Sequence, residues 1–201
     1  MKKYVLIGSL LAVLALLGGC QQVFTYSVFE ELGWQRDVST LPPEQKIAYG
    51  ESALASGDTT AMEEAYNALG DLLAATTAAD DPELYTLAAE LAIGASGLMD
   101  TLTGALAALE EETVDIEALF EALDTDLLSD AVDLVEALDA AEADISPDLY
   151  VNAAAALLIV TVDEAGGFEN IDWENPSTDL EQAVDWALEG GVDLEALMGG
   201  L

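Results

Sequence analysis

The sequence predicts an all-α fold, organised as a helical-repeat body of about seven helices. From residue 42 onward, apolar side chains recur at steps of three and four residues, which places them along one face of a helix. Ala, Leu and Glu, which are strong helix formers, dominate the composition. Because 52% of the residues are hydrophobic, the chain can build a core despite its extreme charge.

Three apolar stripes indicate individual helices. Each keeps the spacing of one buried helix face over two turns or more. Their members are Ile116, Leu119, Phe120 and Leu123; Leu180, Ala183, Val184, Ala187 and Leu188; and Leu84, Ala88, Leu91, Ala95, Leu98 and Leu102.

Helix boundaries are also marked in the sequence. The segments "DDPE" (80–83) and "ISPD" (145–148) each place a capping residue before a proline at the first helical position. Other signals are capping-box spacings and the glycines of helix ends. These are Thr60 with Glu63, Thr178 with Glu181, Gly57-Asp58 and Gly190-Gly191.

An internal repeat follows from the two proline starts. "PELYTLAAELAI" begins at Pro82 and "PDLYVNAAAALL" begins at Pro147, an offset of 65 residues at which Pro, Leu, Tyr and two Ala recur. At the same offset, Met62, Leu69 and Leu73 align with Leu127, Leu134 and Leu138. We expect two units of about 65 residues, each of about three helices, and a closing helix near 178–189.

One unit resembles a tetratricopeptide repeat. The stretch "ALASGDTTAMEEAYNAL" (53–69) has small residues, Gly-Asp at the turn and an alanine-containing second helix, as that family does. The resemblance covers this unit alone, since the next proline comes later than the 34-residue period of the family allows. It implies a tetratricopeptide-like body of stacked helices.

Three further stretches need an assignment. The β-branched run "LLIVTV" (157–162) lacks a pairing partner of similar character, so we expect a fully buried helix. "GGFENIDWENPS" (166–177) predicts a loop, with Phe168, Ile171 and Trp173 folded back onto the body. "VFTYSVFEELGW" (23–34) is more apolar than a tether, so we expect it to dock on the domain, or else to present a partner site.

The first twenty residues have the order of a secretory signal peptide: Lys2 and Lys3, an uncharged apolar run over 5–17, then small residues. The ending Leu17-Gly18-Gly19-Cys20 resembles the lipobox of bacterial lipoproteins. That resemblance implies cleavage before Cys20 and its acylation with diacylglycerol and a further chain such as palmitate. An ordinary signal peptide or an uncleaved anchor helix is the alternative.

The lipoprotein interpretation sets the domain organisation. It comprises a signal peptide over 1–19, a lipid-anchored N-terminal segment over 20–41 and an α-helical repeat domain over 42–201. Because Cys20 is the single cysteine, it can form no intramolecular disulfide. Gln21 stands where Asp retains related lipoproteins in the inner membrane, so the resemblance implies the periplasmic face of the outer membrane.

The charge limits the partners. Removal of 1–19 leaves 182 residues with two basic and 40 acidic side chains, a net charge of −38. This excludes nucleic acid, whose phosphates need Lys and Arg, and anionic lipid surfaces. A solvated surface suited to salt, as in halophilic proteins, is the favoured explanation; a divalent-cation binder is the alternative. Since 124–130 and 163–174 match calcium loops poorly, we predict no metal site and no cofactor.

Catalytic chemistry is also limited. The chain has no histidine, which removes Ser-His-Asp and Cys-His catalysis and His-ligated metals. Asp172 and Glu174 would be an acidic pair for glycoside hydrolysis, but such a pair is most often part of a solvated loop. Tyr85 and Tyr150, at equivalent repeat positions, are expected to pack, with a groove-lining role as the alternative. We predict that the protein is not an enzyme.

The sequence is compatible with three functions. The first is an anchored scaffold that binds an envelope protein, since stacked helices form extended surfaces. The second is a small-molecule carrier, whose outline resembles the tetratricopeptide-type T components of some TRAP transporters in architecture alone. The third, compatible with both, is an acidic coat suited to salt. The pattern predicts no particular oligomeric state.

Overall fold

In a computed structural model, the residues described are 37–101, 122–167, 170–172 and 175–192. The chain divides into two compact units, 1–40 and 41–201. Every secondary-structure element in the described residues is helical, which confirms the all-α prediction. They are a 3-10 turn, Val38–Thr40, and the helices α1 Pro43–Ser56, α2 Thr59–Leu73, α3 Pro82–Ala95, α4 Thr125–Ala140, α5 Pro147–Ala165 and α6 Thr178–Glu189.

The proline starts fold as predicted. Asp81 caps α3 by accepting a hydrogen bond from Leu84 N, and Ser146 caps α5 by accepting from Leu149 N. Both capping-box predictions were wrong. Asp58 caps α2, accepting from the backbone N–H groups of Thr60 and Ala61, and Ser177 caps α6. In each case a competent oxygen acceptor one or two positions earlier takes the role.

Glycine is the C-cap of three helices: Gly57 of α1 and Gly190 of α6, both predicted as helix ends, and Gly166 of α5. Gly57 closes α1 in the left-handed conformation, with φ of 69°, as predicted. Gly97, with φ of 81°, interrupts the long stripe drawn from Leu84 to Leu102, so its prediction as one helix was wrong. A new helical segment begins at Leu98, and residues 102–121, including most of the Ile116 stripe, lie outside the described residues.

The run 157–162 is helical within α5, as expected, but it is not fully buried. Leu157, Thr161 and Val162 are buried, whereas Leu158, Ile159 and Val160 are half-buried. In α6 the stripe also needs correction. Leu188 is 62% exposed, and Trp186, which the stripe omitted, is buried.

Helix α3 lies at the centre of the packing. It contacts α1, α2, α4 and α5, and each helix also contacts the next along the chain. One face, with Leu84, Leu87 and Leu91, packs with α1 and α2. Its other face, with Ala92 and Ile93, joins a core shared with α4, α5 and α6. Two buried faces explain why this helix is apolar almost all round.

The repeat pairs α2 and α3 with α4 and α5. The 65-residue offset holds for α3 and α5, which begin at Pro82 and Pro147. The alignment of α2 with α4 was wrong by one residue: their caps are Asp58 and Asp124, an offset of 66. At that offset buried positions coincide, Met62 with Leu128 and Leu69 with Val135. The offset differs from 65 because α4 and the connection before α5 differ in length from α2 and the connection before α3.

Candidate functional site

The predicted lipidation site lies outside the described residues. Cys20, the signal peptide and the apolar stretch 23–34 are all in that part of the chain. Among the helices that the structure describes, none combines the length and the hydropathy needed to cross a bilayer. Attachment through Cys20 therefore stays a prediction.

The acidic stretch 124–130 is used structurally. Asp124 accepts a hydrogen bond from Leu127 N as the cap of α4. Asp130 accepts one from the Tyr66 hydroxyl at 2.9 Å, which joins α2 to α4. Burial first, and then this hydrogen bond, raise the pKa of Tyr66. Both carboxylates thus stabilise the fold.

The stretch 163–174 does not fold as one loop. Asp163 and Glu164 belong to the last turn of α5, and Asp172 accepts a hydrogen bond from Asn175 N at 3.1 Å. Phe168, Trp173 and Glu174 lie outside the described residues. Within the described residues, no three acidic side chains come together in a way that would hold a metal ion.

The repeat tyrosines are packing residues. Tyr85 is half-buried and donates its hydroxyl to the carbonyl oxygen of Thr76 at 3.3 Å. Tyr150 is half-buried and donates to Asp139 Oδ1 at 3.1 Å, which ties α5 to α4. Burial, followed by that hydrogen bond, raises the pKa of Tyr150 to about 12. In each repeat, the tyrosine fastens its helix to the preceding segment.

An open cleft of ≈ 470 Å³ lies where several helices meet. Its walls come from the end of α1, the start of α2, the last turns of α3, the segment after Gly97 and the first turn of α5. The apolar lining consists of Leu54, Met62, Ile93, Met99 and Leu149. The volume falls within the range of about 300–1,000 Å³ that is usual for ligand pockets.

Gly94 shapes one wall of the cleft. A Cβ atom on this residue would lie 2.5 Å from Met62 Sδ, so any larger residue would displace that side chain. Met62 is buried, whereas Met99 in the same cleft is 50% exposed. Methionine side chains adapt to varied shapes, which suits a wall that contacts a ligand.

The described residues of the cleft include acidic side chains but no basic ones. Its carboxylates are Glu90, Asp100 and Asp148, and none of them pairs with another described residue. Desolvation raises the pKa of Glu90 above its ordinary value, although the side chain stays exposed. The site therefore combines an apolar wall with negative charge, an arrangement that favours a cation on an apolar stem.

Lys46, the single basic residue among the described residues, does not line the cleft. Lys46 in α1 is buried and pairs with Asp71 of α2, with Nζ 2.7 Å from Oδ1. Hydrogen bonding to Lys46 is the main cause that lowers the pKa of Asp71. Lys46 is thus committed to the fold, and no basic side chain among the described residues compensates the negative charge of the cleft.

A second concavity of ≈ 350 Å³ lies between the end of α5 and the start of α6. Most of its lining residues are polar or charged, among them Thr161, Glu164, Asn175 and Ser177. Since it has less apolar surface than the first cleft, it is the weaker candidate for ligand binding.

Sequence reasoning missed the cleft residues. Met62 and Leu149 were recognised as repeat positions, but Glu90, Gly94 and Met99 were not singled out. The signal that could have indicated the wall was a glycine inside a helical run, at Gly94, which often marks close packing. Comparison with protein-family models, with curated proteins and with solved structures finds no match to the chain.

Proposed function

We propose that the protein is a lipoprotein of the cell envelope whose acidic α-helical body binds a partner protein. The lipid on Cys20 holds it at the membrane, and Gln21 favours the periplasmic face of the outer membrane. Two or three acyl chains suffice for stable anchoring, because each buried methylene contributes about 0.8 kcal/mol. The proposal assigns the protein no enzymatic activity.

The observation that carries the proposal is the open cleft between the helices. The accessible part of its apolar wall is Met99, which is half exposed, with Leu54 half-buried, whereas Met62, Ile93 and Leu149 are buried; its acidic side chains lie beside this wall. An apolar centre flanked by charge is typical of an interaction surface. The surrounding acidic surface speeds the encounter with a basic partner and repels acidic ones.

Capture from native envelopes tests this proposal. A Cys20→Ser form is crosslinked gently to native envelopes, and the products are identified by mass spectrometry. An unrelated protein of similar negative charge, treated identically, controls for charge alone. We expect one envelope protein to be enriched reproducibly over the control. Recovery of the same proteins by both baits would contradict a specific binding function.

The cleft volume favours a second candidate, a small-molecule-binding component. This candidate keeps the architectural resemblance to the T components of TRAP transporters. Native mass spectrometry of the same purified Cys20→Ser form distinguishes it from the first. A retained small molecule in the absence of an enriched protein favours the carrier. A mass equal to that of the bare chain, together with a captured protein, favours the scaffold.

A further inference from the structure

We propose that the cleft receives a basic side chain, Lys or Arg, carried on an apolar segment of the partner protein. This inference rests on the proposed protein-binding function and names the chemistry of the contact. Its basis is the combination of an apolar wall at Met62, Ile93 and Met99 with carboxylates at Glu90, Asp100 and Asp148. Lys and Arg match both, since each has a long apolar stem and a cationic end.

Glu90 is the carboxylate best placed for this contact. It lies in the last turns of α3, in the same helix as Ile93 and Gly94, so the charge and the apolar wall share one rigid element. It makes no hydrogen bond with another described residue, and its surroundings desolvate its charged form. A cationic group in the cleft would compensate that charge, and partial desolvation strengthens such a pair.

The chain offers no internal occupant within its described part. Lys46, the one basic residue there, is 3% exposed and is held by Asp71. Three acids outside the cleft have structural roles: Asp81 and Asp124 cap helices, and Asp130 accepts a hydrogen bond from Tyr66. Within the described residues no basic side chain pairs with the cleft acids, so a cation supplied by another protein can do so.

The cleft is larger than one basic side chain needs. Its ≈ 470 Å³ leaves room for apolar neighbours of the Lys or Arg against Leu54 and Met99, the accessible apolar residues of the lining. Apolar contact gives the affinity, about 25 cal/mol per Å² of surface removed from water, and the carboxylates give the orientation. This is the reason to expect a segment of a protein rather than an isolated amine.

The test uses the Cys20→Ser chain and three short peptides of Leu and Ser, acetylated and amidated, that differ at one central position: Lys, norleucine or Glu. Hexylamine is the fourth probe. Calorimetry gives each Kd in dilute salt. We expect the Lys peptide to bind most tightly and the Glu peptide least. Equal binding of the Lys and Glu peptides overturns the charge assignment, and hexylamine as tight as the Lys peptide overturns the protein partner in favour of a small cation.

Two matched pairs of variants locate the contact. Asn152→Trp fills the cleft from α5, and Asn67→Trp places the same side chain on an exposed position of α2. Glu90→Gln removes one cleft charge, and Glu136→Gln removes an exposed charge on α4. We expect the cleft variants to weaken the Lys peptide by roughly fivefold or more, the loss typical of one partly desolvated charge pair or of a blocked pocket. If the cleft variant and its control weaken binding of the Lys peptide equally in both pairs, the peptide does not bind in the cleft.

Failure of this inference differs from failure of the proposed function. If crosslinking captures a partner and Asn152→Trp leaves that capture unchanged, the partner binds elsewhere and only the cleft assignment is wrong. If no partner is captured while the peptides bind the cleft with the expected order, the scaffold function is wrong and the cation site remains.

Discussion

Lys46 and Asp71 form an ion pair between a buried side chain and an exposed one. Their side chains are 4% and 68% exposed, and Nζ of the lysine lies 2.7 Å from Oδ1 of the aspartate. The pair links α1 to α2, and neither residue lines the cleft. A buried ammonium that loses its partner is costly, whereas an apolar residue of the same shape is often tolerated.

The first prediction follows from this asymmetry. Asp71→Asn lowers the melting temperature at neutral pH, because it leaves the Lys46 charge buried without an anion. In a Lys46→Met background the same change has little effect, since no charge remains to be paired. Thermal unfolding of the two single variants and the double variant measures this coupling. Equal effects of Asp71→Asn in both backgrounds would show that the ion pair contributes nothing.

The second prediction concerns the cap of α2. Asp58→Ala destabilises the protein by about 1 kcal/mol, because Asp58 accepts from two otherwise unpaired backbone N–H groups. Thr60 is exposed and was expected from the sequence to cap this helix. Thr60→Ala changes the free energy of unfolding by less than about 0.5 kcal/mol. Urea unfolding compares the two variants. A larger loss of stability for Thr60→Ala than for Asp58→Ala would show that Thr60, in a capping box, is the capping residue.

The third prediction concerns Glu90 and pH. Because its pKa in the folded state is raised, ionisation of Glu90 costs stability as pH rises through that pKa, and the cost is absent below the unfolded value. Glu90→Gln therefore raises the melting temperature at neutral pH, and its advantage disappears in acid. Glu136→Gln serves as the control. A Glu90→Gln advantage that persists unchanged in acid would contradict the desolvation of this group.

The fourth prediction concerns the acidic coat. A net charge of −36 repels itself in the folded state, and sodium chloride screens that repulsion. We expect the melting temperature to rise markedly between low and high chloride concentration. Chloride is preferred over sulfate, because sulfate also strengthens apolar burial. A melting temperature independent of chloride would argue against salt adaptation as the reason for the composition.

Local signals predicted the helices well. Asp81-Pro82 and Ser146-Pro147 act within one turn, so neighbouring residues suffice to identify them. Errors arose where two local signals competed, as at Asp58 and Thr60, or where one residue shifted the register, as between α2 and α4. The long stripe failed at Gly97, because a glycine with positive φ breaks a helix without changing the apolar spacing.

The site was beyond local reasoning. Lysine is almost always exposed, so nothing in the sequence indicated that Lys46 would be buried. The cleft depends on which helix ends meet, and Glu90, Met99 and Asp148 are brought together by packing across segments distant in sequence. In contrast, the repeat placed Tyr85 and Tyr150 at equivalent positions, and there the expectation of packing was confirmed.

The attachment through Cys20 is the claim on which the envelope function depends, and the intact mass of the native protein tests it most directly. We predict a chain that begins at Cys20, carries acyl chains on that residue and partitions with membranes, and we predict that the Cys20→Ser variant stays outside the membrane fraction. A native chain with an unmodified Cys20, or with residues 1–19 still attached, would contradict the account.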